Sequence, residues 1–226
     1  HCVAYVDDTL VFGEDHEDHT ESLWKVLKRF AINNVAVKIE KCFIACPETE
    51  YVGHIIEAGE GVRVDPRKVE KMLKMGTPAN VQELKSFLGM AAYYRRFIKD
   101  FSHITVPLRK IENVFKSNLQ PIWPLWKDNQ QKAFNAIKAA MAETPVLIFP
   151  DFSKPYIVMT DCSNAAMGAT LMQVRDGIER PIAYDSRALN KHEKEYGISD
   201  KEGAAAVWAM RKWRQYLHGS QVMLIT

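Results

Sequence analysis

The spacing of apolar residues predicts a series of helices along the chain. Several carry a recognisable start: an acidic pair, a proline at the first helical position, or an Asn-x-x-Glu capping pattern. The predicted starts are Glu14-Asp15, Asp65-Pro66, Asn80, Asp128 and Ser199. The first helix is expected to stop at Asn33-Asn34, the one from Asp128 near Glu143, and the last near Gly219.

The apolar stripes of these helices predict which faces are buried. The stripes, in chain order, are Leu23, Val26, Leu27 and Phe30; Val69, Met72 and Leu73; Leu84, Phe87, Leu88 and Ala91; Phe134, Ile137 and Met141; and Ala206, Ala209, Met210, Trp213 and Leu217. Residues 114–124 show no strong periodicity, which predicts a linker.

Short β-rich runs predict strands between the helices. The predicted strands are 35–39, 43–45, 51–57, 62–64, 156–160, 168–174, 180–186 and 221–226. Asp176-Gly177 predicts a tight hairpin turn between two of them. From residue 145 onward, three meandering strands, a helix and a further strand predict a separate α+β unit.

Composition narrows the class of protein. The 226 residues are 47% hydrophobic and 26% charged, as in soluble globular proteins. The net charge of +2 is near zero, so a nucleic-acid surface has to be a local patch. Neither a signal peptide nor an apolar run of membrane length occurs. Four cysteines are too few for a disulfide scaffold and favour a reducing compartment.

The adjacent pair Asp7-Asp8 is the most informative local feature. Apolar, β-rich sequence flanks it on both sides, which predicts a strand–turn–strand hairpin with the carboxylates at its tip. Two like charges side by side are stabilised by a cation, and oxygen ligands suit a hard one such as Mg²⁺. An ordinary aspartate-rich turn is the alternative interpretation.

A second pair of carboxylates lies in the last unit. Asp161 ends an apolar strand, and Glu202 falls on the apolar stripe of the last helix, so the two could share a hard metal ion. Local roles remain open for both residues. Asp161 could initiate a turn, and Ser199-x-x-Glu202 matches a capping box.

The third helix ends in aromatic residues interleaved with cations, namely Tyr93, Tyr94, Arg95, Arg96, Phe97 and Lys99. Such a cluster suits a nucleic-acid backbone. It equally suits a helix end packed on a neighbour, where cations complement the helix dipole.

Taken in order, these motifs resemble the reverse transcriptase–ribonuclease H segment of the polyprotein of gypsy-type long-terminal-repeat retrotransposons. The resemblance covers essentially the whole chain. Its motifs are Tyr5-Val6-Asp7-Asp8, Tyr51-Val52-Gly53-His54, Glu83 to Gly89, Tyr93 to Ile98, Pro145-Val146-Leu147, Pro150-Asp151-Phe152, Thr160-Asp161-Cys162-Ser163, Lys201-Glu202 and Val207-Trp208-Ala209.

The resemblance implies an α+β fold in three parts. Residues 1–75 are expected to be the end of the polymerase palm with a primer-grip hairpin, residues 76–144 the helical thumb and connection, and residues 145–226 a truncated ribonuclease H-like mixed sheet with helices. Both ends of the chain are expected to be cuts through a larger protein. The third polymerase aspartate would precede His1, and the next nuclease aspartate would follow Thr226.

The resemblance also implies roles for individual residues. Asp7 and Asp8 would hold the polymerase metal ions, and Asp161 and Glu202 those of the nuclease, with Mg²⁺ or Mn²⁺ as the cofactor. The residues expected to bind substrate are Tyr5, Gly53, His54, Arg95 and Arg96. Cys162 and Asp185 depart from the family pattern without touching an expected ligand.

The implied function is RNA-directed DNA synthesis coupled to cleavage of the RNA strand of RNA/DNA hybrids by two-metal-ion catalysis. The expected partners are an RNA template, an RNA/DNA hybrid, deoxynucleoside triphosphates and the rest of the Pol polyprotein, without a membrane. The expected location is cytoplasmic, in virus-like particles, or nuclear. The segment alone is expected to be inactive.

Two other function classes stay open. One is a derelict or domesticated module that binds nucleic acid without catalysis. The other is a zinc module using Cys42, Cys46 and two of the histidines His16, His19 and His54, although a pair of cysteines three residues apart in a strand suits zinc poorly.

Overall fold

The computed structural model describes residues 1–114 and 118–226 and divides into two units, His1–Gly59 and Glu60–Thr226. The helices are α1 His16–Ile32, α2 Pro66–Leu73, α3 Val81–Tyr93, α4 Phe101–Val114, α5 Asp128–Ala142, α6 Ile198–Lys212 and α7 Arg214–Leu217. The strands are β1 Cys2–Tyr5, β2 Asp8–Val11, β3 Glu48–Tyr51, β4 His54–Glu57, β5 Gly61–Val64, β6 Leu147–Ile148, β7 Tyr156–Cys162, β8 Ala166–Arg175, β9 Ile178–Ala188 and β10 Val222–Ile225. The predicted mixed α+β class is therefore confirmed, whereas the domain boundaries after residues 75 and 144 stay predictions.

The first unit contains two hairpins and one helix. Strands β1 and β2 pair antiparallel around a turn at Val6-Asp7, which confirms the predicted strand–turn–strand at the aspartate pair. Helix α1 begins after Asp15, whose side chain accepts a hydrogen bond from the Asp18 N–H at 2.8 Å. The helix ends at the predicted asparagines, and Asn34 adopts a left-handed φ of 55°.

The other hairpin corrects a sequence prediction. Residues 51–57 do not form one strand, because the chain reverses at Val52-Gly53 between β3 and β4. Both turn residues have positive φ, 47° and 72°, which is the geometry that a two-residue hairpin turn requires. Strand-forming residues lie on both sides of the turn, so the sequence resembles one continuous strand.

The predicted strands at 35–39 and 43–45 are wrong. A single 3₁₀ turn, Ile39–Lys41, lies between stretches without regular structure. The apolar side chains of Val35, Val37, Phe43 and Ile44 are exposed. Strand propensity expresses how well a side chain packs on a pleated surface, and these residues pack on none.

The second unit begins with a short sheet and a helical layer. Strand β5 pairs antiparallel with β6, with Gly61 opposite Ile148. Helix α2 follows with Asp65 as its N-cap and Pro66 in its first turn, as predicted. The Asn80 side chain caps α3 by accepting from the Glu83 N–H at 2.9 Å, also as predicted.

Helices α2 to α5 share one hydrophobic core. The predicted face of α3 is buried throughout, at Leu84, Phe87, Leu88 and Ala91. The rings of Phe87 and Phe134 lie 4.4 Å apart between centroids, which joins α3 to α5. Leu73, predicted to be part of the α2 stripe, is exposed, because α2 is short and only Met72 is fully buried on it.

Sequence reasoning missed helix α4, which carries Pro107 in its interior. Its buried residues Phe101, Thr105, Leu108 and Ile111 hold it in the helical layer despite the proline. The predicted linker at 114–124 lies partly outside the described residues, at 115–117. Its described end is anchored, since Pro121 forms an isolated β-bridge with Asn80 and Ile122 is buried.

The larger sheet of the second unit has the strand order β10-β7-β8-β9. Strands β7, β8 and β9 form an antiparallel meander, and β10 returns parallel to β7. The predicted turn at Asp176-Gly177 has positive φ at both residues, 54° and 76°. Helix α6 packs against β7, with Ala209, Trp213 and Leu217 in the core.

Strand β6 connects the two cores of the second unit. Leu147 belongs to the helical core, and its neighbour Ile148 belongs to the core of the larger sheet. The pairing of β6 with β5 needs a residue without a side chain at position 61. A Cβ atom there would overlap the Leu147 carbonyl oxygen and would lie 2.9 Å from its carbonyl carbon.

We expect Gly61→Ala to lower the free energy of unfolding by about 1–3 kcal/mol, as overpacking against a fixed backbone does. Urea denaturation of the whole chain measures the change. The matched control is Gly89→Ala in α3, where an added Cβ meets nothing within 4 Å. That variant should gain roughly 0.5–1 kcal/mol from helix propensity. Equal stability of the two variants would contradict the close approach of β5 and β6.

Candidate functional site

The Asp7-Asp8 pair is presented at the tip of the β1–β2 hairpin. Asp8 pairs with Tyr5 across the hairpin, and Val6 and Asp7 form the turn. Both aspartates are exposed, and within the described residues neither side chain forms a hydrogen bond or an ion pair. Their oxygens are therefore available as ligands for a hard cation.

Val6 has an unusual conformation for its residue type. It is 87% exposed and has a φ of 53°, in the left-handed region that β-branched residues rarely adopt. Strain of this kind costs about 1–3 kcal/mol and concentrates at functional sites. The turn that presents Asp7 therefore requires Val6 to adopt a backbone conformation that valine disfavours.

The Gly53-His54 hairpin lies beside the aspartate hairpin. The Tyr51 hydroxyl donates a hydrogen bond to the Val3 carbonyl at 3.4 Å. Gly53 occupies the turn with a φ of 72°, and the His54 Nδ1 atom lies 2.8 Å from the Val52 carbonyl oxygen. The structure therefore brings Tyr5, Asp7 and Asp8 and the Gly53-His54 turn into one unit, as neighbouring hairpins.

Asp161 and Glu202 lie on two elements that pack together. Asp161 is near the carboxyl end of β7, and Glu202 is near the start of α6. The buried Lys201 ammonium donates a hydrogen bond to the Asn164 Oδ1 atom at 3.0 Å. Because Asn164 closely follows Asp161 and Lys201 adjoins Glu202, this bond ties the start of α6 to the end of β7.

Two details of the last helix differ from the prediction. Helix α6 begins at Ile198 with Gly197 as its N-cap, so Ser199 lies inside the helix and does not form the capping box with Glu202. Lys201, Ala205 and Ala209 lie on the buried face, whereas Glu202 and Met210 are exposed. The buried face of α6 is therefore centred about one residue before the predicted stripe, which leaves Glu202 at the surface.

Both carboxylates of this pair are exposed. Within the described residues, neither Asp161 nor Glu202 forms a side-chain hydrogen bond or an ion pair. The exclusion of the capping box removes the local role that the sequence offered for Glu202. The geometry leaves both side chains available to bind a cation from solvent.

Cys162 follows Asp161 but has the environment of a structural thiol. Burial raises its pKa above the ordinary value, and the nearby Asp161 and Glu193 carboxylates add to the increase. The Lys201 ammonium acts in the opposite direction without reversing it. A thiol with a raised pKa is a poor nucleophile, so this cysteine contributes packing rather than chemistry.

A partly buried ion pair that sequence reasoning missed positions the segment before α6. Two Arg187 nitrogens donate to the Glu193 carboxylate at 2.8 and 2.6 Å, and Arg187 lies 5.7 Å from the centre of the Trp208 ring. The Arg187 hydrogen bonds lower the pKa of Glu193 to about 2. Asn190 and Glu193 also exchange hydrogen bonds of 2.9 Å, which is the capping pattern Asn-x-x-Glu. That pattern was the sequence signal for this contact.

The predicted phosphate-binding residues Arg95 and Arg96 lie in a 3₁₀ turn directly after α3, and both are exposed. Lys99 is also exposed, whereas Tyr94, Phe97 and Ile98 are buried. The interleaved sequence thus separates into an apolar inner face and a basic outer face. Packing and a cationic surface occur together here, so the two interpretations of this cluster are not exclusive.

Candidate metal-binding side chains form no larger cluster in the described part of the chain. Among residues 1–114 and 118–226, no group of three or more histidine, cysteine or acidic side chains could hold a metal ion. The Cys42 and Cys46 thiols are exposed and contact the carbonyl oxygens of Lys38 and Ile44, at 3.3 and 3.7 Å. The described geometry therefore gives the zinc interpretation no support. No helix in the described part of the chain is long and apolar enough to cross a membrane.

A protein-family model matches part of the second unit. Residues 126–224 match the RNase H-like domain found in reverse transcriptase. The match begins just before α5 and includes the larger sheet as far as Leu224 in β10, together with Asp161 and Glu202.

Comparison with curated proteins extends the similarity to the whole chain. The chain is 38% identical over 224 residues to the retrovirus-related Pol polyprotein from transposon opus of Drosophila melanogaster, and covers 22% of that protein. It is 37% identical over 226 residues to the corresponding polyprotein from transposon gypsy of the same organism, and covers 21% of it. Each match includes 97% of this chain. The chain thus spans about a fifth of the length of these relatives.

Solved structures share the fold. The chain matches the foamy viral protease-reverse transcriptase dRH in complex with double-stranded DNA with a TM-score of 0.82 at 22% identity, over 99% of this chain and 38% of that one. The foamy viral protease-reverse transcriptase in complex with an RNA/DNA hybrid matches with a TM-score of 0.79, also at 22% identity, over 99% of this chain and 30% of that one. At this identity the comparison establishes the fold.

The Arg187–Glu193 pair makes the stability of the chain depend on pH in a defined window. The pKa of Glu193 is about 2 in the fold against an ordinary 4.5, so its contribution is complete above about pH 4.5 and is lost as the pH falls towards 2. We expect Glu193→Gln to lower the stability at neutral pH and to flatten the pH dependence in this window. Thermal unfolding between pH 2 and 7 measures both effects. The control is Glu195→Gln, an exposed neighbour. A profile that Glu193→Gln leaves unchanged would contradict the assignment.

Proposed function

We propose that the chain is part of an RNA-directed DNA polymerase with an associated ribonuclease H. Two findings support this: residues 126–224 match the RNase H-like domain found in reverse transcriptase, and the chain is homologous to one segment of Pol polyproteins from gypsy and other LTR transposons. The parent enzyme would copy retrotransposon RNA into DNA and cleave the RNA strand of RNA/DNA hybrids. The observation that carries the nuclease half is the Lys201–Asn164 hydrogen bond, which ties Glu202 to the same end of the sheet as Asp161.

The two carboxylate pairs suit a divalent metal ion by their chemistry. All four side chains are exposed, and within the described residues none is neutralised by an arginine or lysine. Oxygen donors of this kind favour Mg²⁺ or Mn²⁺ over softer metals. When bound, paired divalent cations stabilise the charge that develops on the phosphoryl oxygens. In this proposal Asp7, Asp8, Asp161 and Glu202 hold them.

The other candidate residues of the first unit, Tyr5, Gly53 and His54, would position nucleic acid. Tyr5 lies beside the aspartate turn, and the Gly53-His54 turn lies on the neighbouring hairpin. A primer strand gripped by the second hairpin would end close to the carboxylates of the first. Orientation of this kind lowers the barrier to phosphoryl transfer by fixing the reacting groups in place.

The proposal also assigns parts of the enzyme to parts of the chain. Residues 1–75 would be the end of the palm, residues 76–144 the thumb and connection, and residues 145–226 the ribonuclease H-like domain. The partners would be an RNA template, an RNA/DNA hybrid, deoxynucleoside triphosphates and the rest of the Pol polyprotein. The place of action would be cytoplasmic particles or the nucleus. Recognition of the hybrid would rest on backbone shape and the 2′-hydroxyl rather than on sequence.

The carboxylate pairs predict a double dissociation in the polyprotein that contains this segment. We expect Glu202→Gln to reduce cleavage of the RNA strand of a hybrid by at least about 100-fold and to leave DNA synthesis intact, because the two pairs lie in different units. Asp7→Asn should do the reverse. Parallel primer-extension and hybrid-cleavage assays measure both activities.

Each unit offers a control for this experiment. Asp200→Asn in α6 and Glu14→Gln after β2 change exposed carboxylates outside the two pairs, and both activities should persist. The broadening of NMR signals by Mn²⁺ in the chain itself gives a readout that needs no activity. It should centre on both carboxylate pairs, and Glu202→Gln should weaken it around Asp161 but not around Asp7 and Asp8. Full hybrid cleavage by Glu202→Gln would refute the assignment of Glu202 as a nuclease metal ligand. Absence of cleavage by the unaltered polyprotein would favour a non-catalytic binding module.

A further inference from the structure

A cleft of about 300 Å³ opens within the second unit, on the side of the larger sheet that carries β9. Three parts of the chain line it: the turn after α3 with Arg95 and Arg96, strand β9 with Asp185, and the α6–α7 junction with Lys212 and Tyr216. The helical layer and the larger sheet both contribute, so the cleft exists only in the assembled unit.

The cleft carries more positive than negative charge. Arg95, Arg96 and Lys212 face a single carboxylate, that of Asp185, which leaves an excess of two positive charges. The Asp185 carboxylate is buried, lies 2.7 Å from the Lys212 ammonium and 3.8 Å from the Arg95 Nε atom, and accepts the Ser186 N–H at 2.8 Å. Arg96 forms no ion pair with the described residues and lies over the Phe97 ring.

The cations remain available to a ligand although two of them are paired. The side chains of Arg95 and Lys212 are 51% and 40% exposed, whereas the Asp185 side chain is 8% exposed. An anion from solvent therefore meets the cations at the mouth of the cleft. The planar guanidinium of arginine matches a phosphate with two parallel hydrogen bonds.

Aromatic side chains supply the rest of the lining. Tyr93 is half exposed, and Tyr184 and Tyr216 are partly buried beside the basic residues. Aromatic faces next to cations are the usual composition of surfaces that bind nucleic-acid strands, since sugars and bases pack on the rings while phosphates meet the cations. A buried carboxylate among them is not part of that composition, because it repels phosphate.

We propose that this cleft binds the sugar–phosphate backbone of a nucleic-acid strand through Arg95, Arg96 and Lys212, and that Asp185 is an internal competitor which occupies Lys212 and Arg95 in the free protein. Asp185 then has two effects. It holds Lys212 and Arg95 together before a strand arrives, and it weakens the binding of phosphate, because part of their charge is already neutralised.

The position of the cleft relates it to the nuclease pair, and here the inference rests on the proposed function. Lys212 ends α6 and Glu202 lies near its start, so the two residues are separated by about 15 Å along the helix axis. That distance corresponds to roughly four base steps of a duplex at 3.4 Å each. A strand held in the cleft would therefore reach the Asp161–Glu202 end of the same helix a few nucleotides away.

The test is the salt dependence of binding to a fluorescently labelled RNA/DNA hybrid, measured without divalent metal so that no catalysis occurs. We expect Arg95→Gln to reduce the slope of log K against log salt concentration by about 0.9, as the loss of one phosphate contact does. The matched control is Arg109→Gln in α4. Arg109 is 46% exposed and pairs with Glu112 at 3.7 Å, almost as Arg95 does with Asp185, but it does not line the cleft. Equal effects of the two variants would mean that only overall charge matters, which would overturn the proposal.

The competitor role is tested by Asp185→Asn, which keeps the shape and removes the charge. We expect tighter binding and a slope steeper by about 0.9, because Lys212 becomes free to meet a phosphate. The double variant Asp185→Asn with Lys212→Gln should return the slope to that of the original chain. Unchanged or weaker binding by a folded Asp185→Asn protein would overturn the role of Asp185.

A measurement on the unaltered chain covers the case in which Asp185→Asn fails to fold. Acetylation of lysines by an amine-reactive reagent, followed by mass spectrometry, should show that the hybrid protects Lys212. The control is Lys154, which is 52% exposed and pairs with Asp151 at 3.4 Å outside the cleft. Equal protection of the two lysines would overturn the proposal. None of these readouts depends on RNA cleavage, so a failure here and a failure of the Glu202→Gln experiment are distinguishable.

Discussion

The packing of α6 against β7 is the interaction on which both sites of the second unit depend. Alanines at 205, 206 and 209 let the helix lie close to the sheet, and Trp213 and Leu217 continue its buried side into α7. A lysine ties each end of α6 to the strands. Lys201 bonds to Asn164 after β7, and Lys212 pairs with Asp185 on β9. The Asp161–Glu202 pair lies at the Lys201 end of α6 and the basic cleft at the Lys212 end, so the length of the helix fixes the spacing between them.

Burial and pairing distinguish the structural carboxylates from the candidate ligands. Asp65, Asp185 and Glu193 are buried, and each is bonded to a cation. The hydrogen bonds from Arg67 lower the pKa of Asp65, as those from Arg187 lower that of Glu193. A buried carboxylate requires such partners, because an uncompensated charge in the interior is strongly destabilising. The four candidate ligands are exposed and unpaired among the described residues, which is the state in which a carboxylate binds a cation from solvent.

Local chemistry explains which parts of the fold were predictable from the sequence. The caps at Asp15, Asp65 and Asn80 and the turn at Asp176-Gly177 involve residues at most four apart, so the sequence contains both partners of each interaction. The wrong strands at 35–39 and 43–45 and the missed helix α4 have the opposite character. Whether a β-rich segment pairs, or a proline is tolerated inside a helix, depends on neighbours that are distant in sequence. The reversal at Val52-Gly53 was recoverable in principle, since Gly53 occupies the second position of the two-residue turn, where glycine is favoured.

The same distinction between local and distant interactions applies to the candidate functional residues. The aspartate hairpin could be predicted because its flanking strands and its turn are contiguous. That Asp161 and Glu202 share a metal ion stays a prediction of the family resemblance, although the structure does pack their two elements together. The cleft could not be predicted, since Arg95, Asp185 and Lys212 come from three segments and meet only after the helical layer packs on the sheet. Asp185 in particular has no informative neighbours in the sequence. Its role depends on two cations, Arg95 about 90 residues before it and Lys212 about 30 residues after it. The buried Asp185 carboxylate brings these two cations together at the surface.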